Sequence, residues 1–401
     1  MNLSRKKLFI YLALGLLVLG IVGFFIWRSI RPAPPAIPAG GGGGVGGGII
    51  QYPGGTPPEA APGTLPGATS TPESQAVPGR PAARLIRITD FPVVSPSLNR
   101  DETKILFYKK DGGDLFSADF NGASQQKISN LTILGLMEAV WSPSRDRAAI
   151  LYLDGGTVKS FLHIGTSSVA VLPSDITSAA WSPDGRSLAY TRREGDLLAL
   201  SIADSGGRAP RTVLRVPVPD ARIAWADADR ITFITPASGL AEGYIFSHSR
   251  RAGTFQRIIG PTFGLMATWS PFGARAVLSS TAQGGVGMTT KVLNPHDPDR
   301  KDQLQLDIVT FAEKCMFGGV QELWCAEPRS LESMSPLPDL YLTGEYNSSD
   351  RIVRIDLTKN ATEDILNQDN FDAVNLTLTK DKSYLFFVNR HDGTLWSLKL
   401  K

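Results

Sequence analysis

WSPDGRSLAY, residues Trp181 to Tyr190, reads as a strand ending at Trp, a tight Ser-Pro-Asp-Gly turn and an apolar strand leaving it. Proline presets φ for the turn and glycine tolerates positive φ, so the two strands fold back as a hairpin. The phrase returns along the chain in altered form. Trp141 opens WSPSRDRAAILY and Trp269 opens WSPFGARAVLSS, while Trp225 opens WADADRITFI, which keeps the Trp, the acidic turn and the β-branched exit. Val94 precedes SPSLNRDETKILFY, Phe317 precedes GGVQELWCA and Leu378 precedes TKDKSYLFFV. Successive anchors lie 47, 40, 44, 44, 48 and 61 residues apart. A strand-turn-strand unit recurring every 40 to 50 residues or so predicts an all-β chain folded as a β-propeller, each repeat a four-stranded blade. Seven anchors predict seven blades; six result if the Val94 copy extends its neighbour.

The phrase WSPDGRSLAY also resembles the turn signature of TolB-type propellers and of the propeller half of prolyl oligopeptidases, over residues 85–401. That resemblance implies a fold and no activity, because the signature residues build the blade. The anchors lack the Gly-His and Trp-Asp pairs of eukaryotic WD repeats. In layout the chain resembles membrane-anchored bacterial propellers of unknown function.

Composition divides the 401 residues into unlike parts. Residues 1–7 form a basic N-terminus, expected to be cytoplasmic. Residues 8–30 read as a transmembrane signal-anchor: Leu8 to Trp27 carry no charge, and at about 1.5 Å per residue they cross a hydrocarbon core of about 30 Å. Arg5, Lys6 and Lys7 precede the span, which favours a cytoplasmic N-terminus and places the C-terminal side of the span outside the cytoplasm. A cleaved signal peptide would have a shorter apolar core and a small-residue cleavage site. Residues 31–83, rich in Pro, Gly and Ala, have too few large apolar side chains to bury a core and read as a disordered linker. The propeller is assigned to 84–401.

Charge divides in the same way. Residues 1–83 hold six Lys or Arg against Glu59 and Glu73, a balance of +4, so the whole-chain +3 leaves −1 for residues 84–401. The propeller therefore offers no general basic field for nucleic acid.

Within 84–401, Arg84 to Ile88 alternates like a strand, while the last repeat supplies about three strands. Leu85 to Ile88 is expected to complete that blade and close the ring, removing an exposed edge. The anchors Val94, Trp141, Trp181, Trp225, Trp269, Phe317 and Leu378 are expected to be structural, packing between blades. Cys315 and Cys325 fall on the two arms of one hairpin, where facing strands bring Cα atoms within disulfide range, and an extracytoplasmic domain preserves such a bond.

Catalytic chemistry is not evident in the sequence. His163, His248, His296 and His391 occur singly, no G-x-S-x-G elbow is present, and no cofactor or metal site is expected. The motifs DGGD at Asp111 to Asp114 and HDPD at His296 to Asp299 read as solvated turns, lacking the full ligand spacing of a Ca²⁺ loop. Asp90, Asp175, Asp220 and Asp372 each lie before an innermost strand, where they form a candidate acidic rim at the channel. On the same face the long loop Pro328 to Leu340 is expected to present Met334, Leu337 and Leu340 to a partner, or else to cover its own blade. The resulting expectation is a non-enzymatic, membrane-tethered extracytoplasmic scaffold that binds a protein, a peptide or an envelope component. The alternative is a propeller enzyme of lyase or lactonase type working at the channel mouth.

Overall fold

The computed structural model describes residues 84–401 apart from 272–274, 332–334 and 368–369. The basic N-terminus, the apolar span, the linker and Met334 lie outside the described residues. Among the described residues no helix is long and apolar enough to cross a membrane.

The described chain is nearly all β. Its strands are β1 (Leu85–Arg87), β2 (Val93–Leu98), β3 (Ile105–Lys109), β4 (Leu115–Ala118), β5 (Gln126–Lys127), β6 (Leu136–Trp141), β7 (Arg147–Asp154), β8 (Thr157–Ile164) and β9 (Ser168–Val171). They continue with β10 (Ile176–Trp181), β11 (Ser187–Glu194), β12 (Leu197–Asp204), β13 (Arg211–Val216), β14 (Arg222–Trp225), β15 (Arg230–Ile234), β16 (Glu242–Ser249), β17 (Phe255–Trp269) and β18 (Ala276–Thr281). The last are β19 (Thr289–Leu293), β20 (Leu304–Gln305), β21 (Cys315–Gly319), β22 (Glu322–Pro328), β23 (Asp350–Asp356), β24 (Ala361–Leu366), β25 (Ala373–Leu378), β26 (Tyr384–Asn389) and β27 (Thr394–Lys399). A 3-10 turn, Ala312–Lys314, precedes β21, and one short helix, α1 (Asp339–Leu342), interrupts the β22–β23 connection.

Four sheets run as consecutive antiparallel meanders: β2 to β5, β6 to β9, β10 to β13, and β21 to β24. A fifth has the order β1-β27-β26-β25, so the first strand of the described chain completes the last sheet, with Leu85 opposite Leu398 and Arg87 opposite Trp396. The sixth sheet has seven strands, β14 to β20. Its long β17 pairs with β16 between Phe255 and Phe263, and with β18 at Phe263 and again, past a bulge, from Met266 to Trp269.

First strands of successive sheets face each other, β10 against β14 and β6, and β2 against β6 and β25. The core therefore forms between sheets. One apolar cluster joins Ala149, Leu151 and Leu162 to Ile176, Trp181, Leu188 and Tyr190 of the following sheet. Burying such a Trp removes roughly 150–250 Å² from water. The indole N–H of Trp181 donates to Val140 O at 2.8 Å, and that of Trp141 donates to Ser95 O at 2.8 Å, each crossing to the preceding sheet. Trp225 and Phe317 are buried; Trp269 and Leu378 are half-buried.

The signature turn owes its form to its residues. Ser182 N–H donates to Ser187 O, Ser182 Oγ donates to Asp184 Oδ1 at 2.6 Å, and Gly185 takes φ +68°. Asp184 Oδ1 also accepts from Arg186 N–H, so one carboxylate holds the bend. In WADADR the Pro and Gly are gone, but Asp227 Oδ1 accepts from Asp229 N–H and Arg230 N–H and does the same work.

One anchor is displaced. Leu98, opposite Ile105, holds the place that Trp181 holds opposite Leu188, whereas Val94 lies upstream of a bulge, opposite Tyr108. Ser95, at φ 48°, starts the irregularity. The turn in that copy is instead built on Asn99, whose Oδ1 accepts from Thr103 and Lys104 N–H. Reading SPSL as the turn shifted the expected anchor to Val94.

Candidate functional site

The entry to each first strand and the link from second to third strand open on the same face, opposite the signature turns. Two neighbouring cavities lie there beside the inner strands. The first, of about 590 Å³, is bounded by Glu138 of β6, Asp175 and Ile176 at β10, Arg193 of β11 and Arg222 of β14. The second, of about 440 Å³, shares Arg222 and runs over Ile223, Ile234, Leu265, Met266 and Trp269 to Leu342 of α1, with Asp220 and Glu313 on its edge.

The ionic groups of this mouth are largely paired with each other. Arg222 Nη2 donates to Glu138 Oε2 at 2.7 Å, reaching past the intervening sheet, and Arg193 Nη1 donates to Asp220 Oδ1 at 3.2 Å. Both pairs are exposed, so each is worth about 0.2–1 kcal/mol and weakens with salt. Pairs this weak can be exchanged for a ligand's charges. Glu313 accepts from the Tyr341 hydroxyl at 2.7 Å, and burial, followed by the Glu313 charge, pushes that phenol far above its usual range.

The predicted rim is redistributed by the structure. Asp175 and Asp220 are exposed at the mouth; Asp90 is exposed at the entry to β2. Asp372 is not on a rim at all. It is fully buried, bonded to Lys314 Nζ at 2.6 Å and facing Arg390, because the cation fixed beside it needs a counter-charge away from water.

The long connection carrying Leu337 and Leu340 is likewise not a presented apolar surface. Leu337 is buried and Leu340 is packed against the same core, because this segment straps the face. Leu337 N–H donates to Gly285 O at 2.9 Å. Asp339 accepts from Ser238 Oγ and from Gly239 N–H, both at 2.7 Å. A Cβ on Gly285 would fall 2.4 Å from Leu337 N, so glycine is what lets the strap lie flat. Tyr341 stacks on Phe311 with ring centroids 3.9 Å apart, and Arg390 donates to the carbonyls of Tyr346 and Tyr341.

Cys315 and Cys325 are opposite each other in the β21–β22 ladder and form the disulfide. Sequence reasoning missed Glu138, Arg193, Arg222 and Glu313 at the mouth. The available signal was position, since Arg222 opens an inner strand just as Asp175 immediately precedes one. Among the described residues no group of three or more His, Cys, Asp or Glu side chains is arranged to hold a metal.

No protein-family model and no curated protein matches this chain. Solved structures do. An oligogalacturonate lyase in complex with manganese is 14% identical, with 79% of this chain and 90% of that one covered at a TM-score of 0.54. The β-propeller domain of the Trilobed protease from Pyrococcus furiosus, with an open velcro topology, is 10% identical over 77% and 95%, at 0.53. The fold is a β-propeller.

The tricorn protease matches at 10% identity and a TM-score of 0.52, covering 79% of the propeller chain; that coverage is about a third, 34%, of the protease chain. TolB from Acinetobacter baumannii is also among the neighbours, at 13% identity over 69% and 64% and a TM-score of 0.44. At such identities the neighbours speak to fold alone, and the TolB-like resemblance of WSPDGRSLAY is a resemblance of fold. Unlike the open velcro of the Trilobed protease domain, this propeller has its first described strand zipped onto its last.

Proposed function

We propose that this propeller is a non-enzymatic binding scaffold, held outside the cytoplasmic membrane by the N-terminal apolar span, which receives an extended peptide segment of a protein partner at its channel mouth. The observation that carries the reading is the pair of cavities joined at Arg222: apolar walls from Ile223, Leu265, Met266 and Leu342, edged by Asp220 and Glu313. Apolar walls with a few convergent polar groups suit a ligand with both apolar and charged side chains. Around the two cavities stand four carboxylates, Glu138, Asp175, Asp220 and Glu313, against the guanidiniums of Arg193 and Arg222. That excess favours a segment carrying a Lys, Arg or free amine.

The same proposal counts seven blades, the seven-stranded sheet being two four-stranded blades that share β17. A lyase-type reaction at the channel mouth is the rival, supported by the oligogalacturonate lyase among the fold neighbours. Peptides selected on the full-length protein from a random library separate the two. Ala224→Trp, which fills the second cavity from β14, is expected to weaken the selected peptides at least tenfold while the circular dichroism spectrum stays unchanged. Unaltered binding by that variant, or turnover of uronate oligomers by the wild type, would overturn the scaffold reading.

A further inference from the structure

Between the last two sheets lies a cluster that the channel mouth does not use. Lys314, immediately before β21, is fully buried, and its Nζ lies 2.6 Å from Asp350 Oδ2, 2.6 Å from Asp372 Oδ1 and 2.7 Å from Ser348 Oγ. Both aspartate side chains are also fully buried. The Tyr341 ring covers the amine, its centroid 5.6 Å away. Asp350 Oδ2 accepts a second bond from Ala373 N–H at 2.7 Å, whereas its Oδ1, also buried, has no hydrogen-bond partner among the described residues.

A buried ion pair is normally a weak source of stability, because desolvating two charges offsets much of their attraction. This geometry also meets the requirements of a condensation. We propose that Lys314 and Asp350 form an intramolecular isopeptide bond after folding, with Asp372 moving the protons. Asp372 Oδ1 takes one proton from the ammonium, freeing the lone pair on Nζ to attack Cγ of Asp350. The Ala373 N–H stabilises the oxygen that becomes the amide carbonyl. The Nζ–Cγ bond forms, the bond from Cγ to Oδ1 breaks, and Asp372 delivers protons from nitrogen to the departing oxygen, which leaves as water. An ammonium and a carboxylate become an amide and one water, so charge balances and nothing is oxidised or reduced.

Three features favour the reaction. The departing oxygen is the unpartnered one, so no hydrogen bond is lost with it. Asp372 remains a carboxylate facing Arg390, so no uncompensated charge is left behind. The two carboxyls are also pushed apart: burial raises Asp350 above its usual range, while for Asp372 burial is outweighed by the Lys314 charge and it is held below. That division suits Asp372 to be the base and Asp350 to be the carboxyl that receives the protons relayed from nitrogen. Holding amine and carboxyl in contact replaces the encounter of two reactants, an advantage that reaches effective molarities of about 10⁵ M or more in well-aligned intramolecular reactions.

The test is the intact mass of the full-length chain, reduced and denatured. The expected result is a mass lower than that of the unmodified polypeptide by one water, mapped to a branched tryptic species joining the Lys314 and Asp350 peptides, with no cleavage after Lys314. Lys314→Arg should restore the lost water, and Asp372→Asn, which keeps both reacting groups, should leave much of the chain uncoupled. An unmodified wild-type mass, or a water loss mapping to any other residue, overturns the proposal whether or not the variants fold.

Discussion

His296 shows how burial, reinforced by neighbouring charges, tunes a side chain in this ring. Its imidazole lies against Trp269, ring centroids 5.9 Å apart, and its Nε2 has no partner among the described residues. Burial, with Arg230 and Arg300 nearby, pushes its pKa down to about 4. His163, hydrogen-bonded through Nδ1 to the Tyr108 hydroxyl at 2.7 Å, is also lowered by burial. A histidine depressed in the folded state is protonated first in the unfolded chain. Its contribution is therefore complete above the ordinary value of about 6.5 and is lost as pH falls towards about 4. His296→Phe, which keeps a ring against Trp269, should leave the melting temperature at pH 7.5 nearly unchanged. Between pH 6.5 and 4 it should flatten the decline by up to about 1.4 kcal/mol per pH unit. Thermal melts across that range check this; parallel wild-type and variant slopes would refute it.

At the scale of elements, closure is the decisive feature. Three residues of β1 pair with β27, Lys399 N–H donates to Arg84 O, Ile88 N–H donates to Leu395 O, and Ile88 is buried against the first blade. Deleting Arg84 to Ile88 removes several backbone hydrogen bonds and the burial of Ile88, together roughly 5 kcal/mol, or about 7 °C in melting temperature for a domain of this size. Deleting an equal length from the preceding linker should cost almost nothing, and equal losses would show that β1 does not close the ring. This closure was legible in the sequence because an incomplete last repeat and an alternating first segment need each other. Turn chemistry was legible too, since Asp can stand in for Pro and Gly. The strap was not. Leu337 among prolines looks the same whether it faces solvent or Gly285, because burial there depends on loops of other blades. Lys314 was missed for a related reason: its partners at 350 and 372 are remote in sequence, and a lysine before a strand gives no sign of being enclosed.

For the whole molecule, the apolar segment at residues 8–30 and the three basic residues before it lead to a prediction about sidedness. Protease added to intact cells or spheroplasts should remove the propeller while a cytoplasmic control survives. Protection of both would place the domain on the other side. The two exposed ion pairs at the channel mouth belong to this scale as well, since Glu138 with Arg222 and Arg193 with Asp220 join side chains from three blades.

The direction of β1 has a mechanical consequence. Leu85 enters opposite Leu398, two residues before Leu400, whose N–H donates to Ser383 O in a signature-type turn, so the chain joins the ring on the face opposite the channel mouth. A pull transmitted through the preceding residues, against a partner gripped at the mouth, would run along β1 rather than across it. Force in that direction loads the rungs of the β1–β27 ladder together, in shear, instead of peeling them one at a time. The strand that closes the ring would then also be its strain gauge, holding up to a threshold and releasing the last blade in one step.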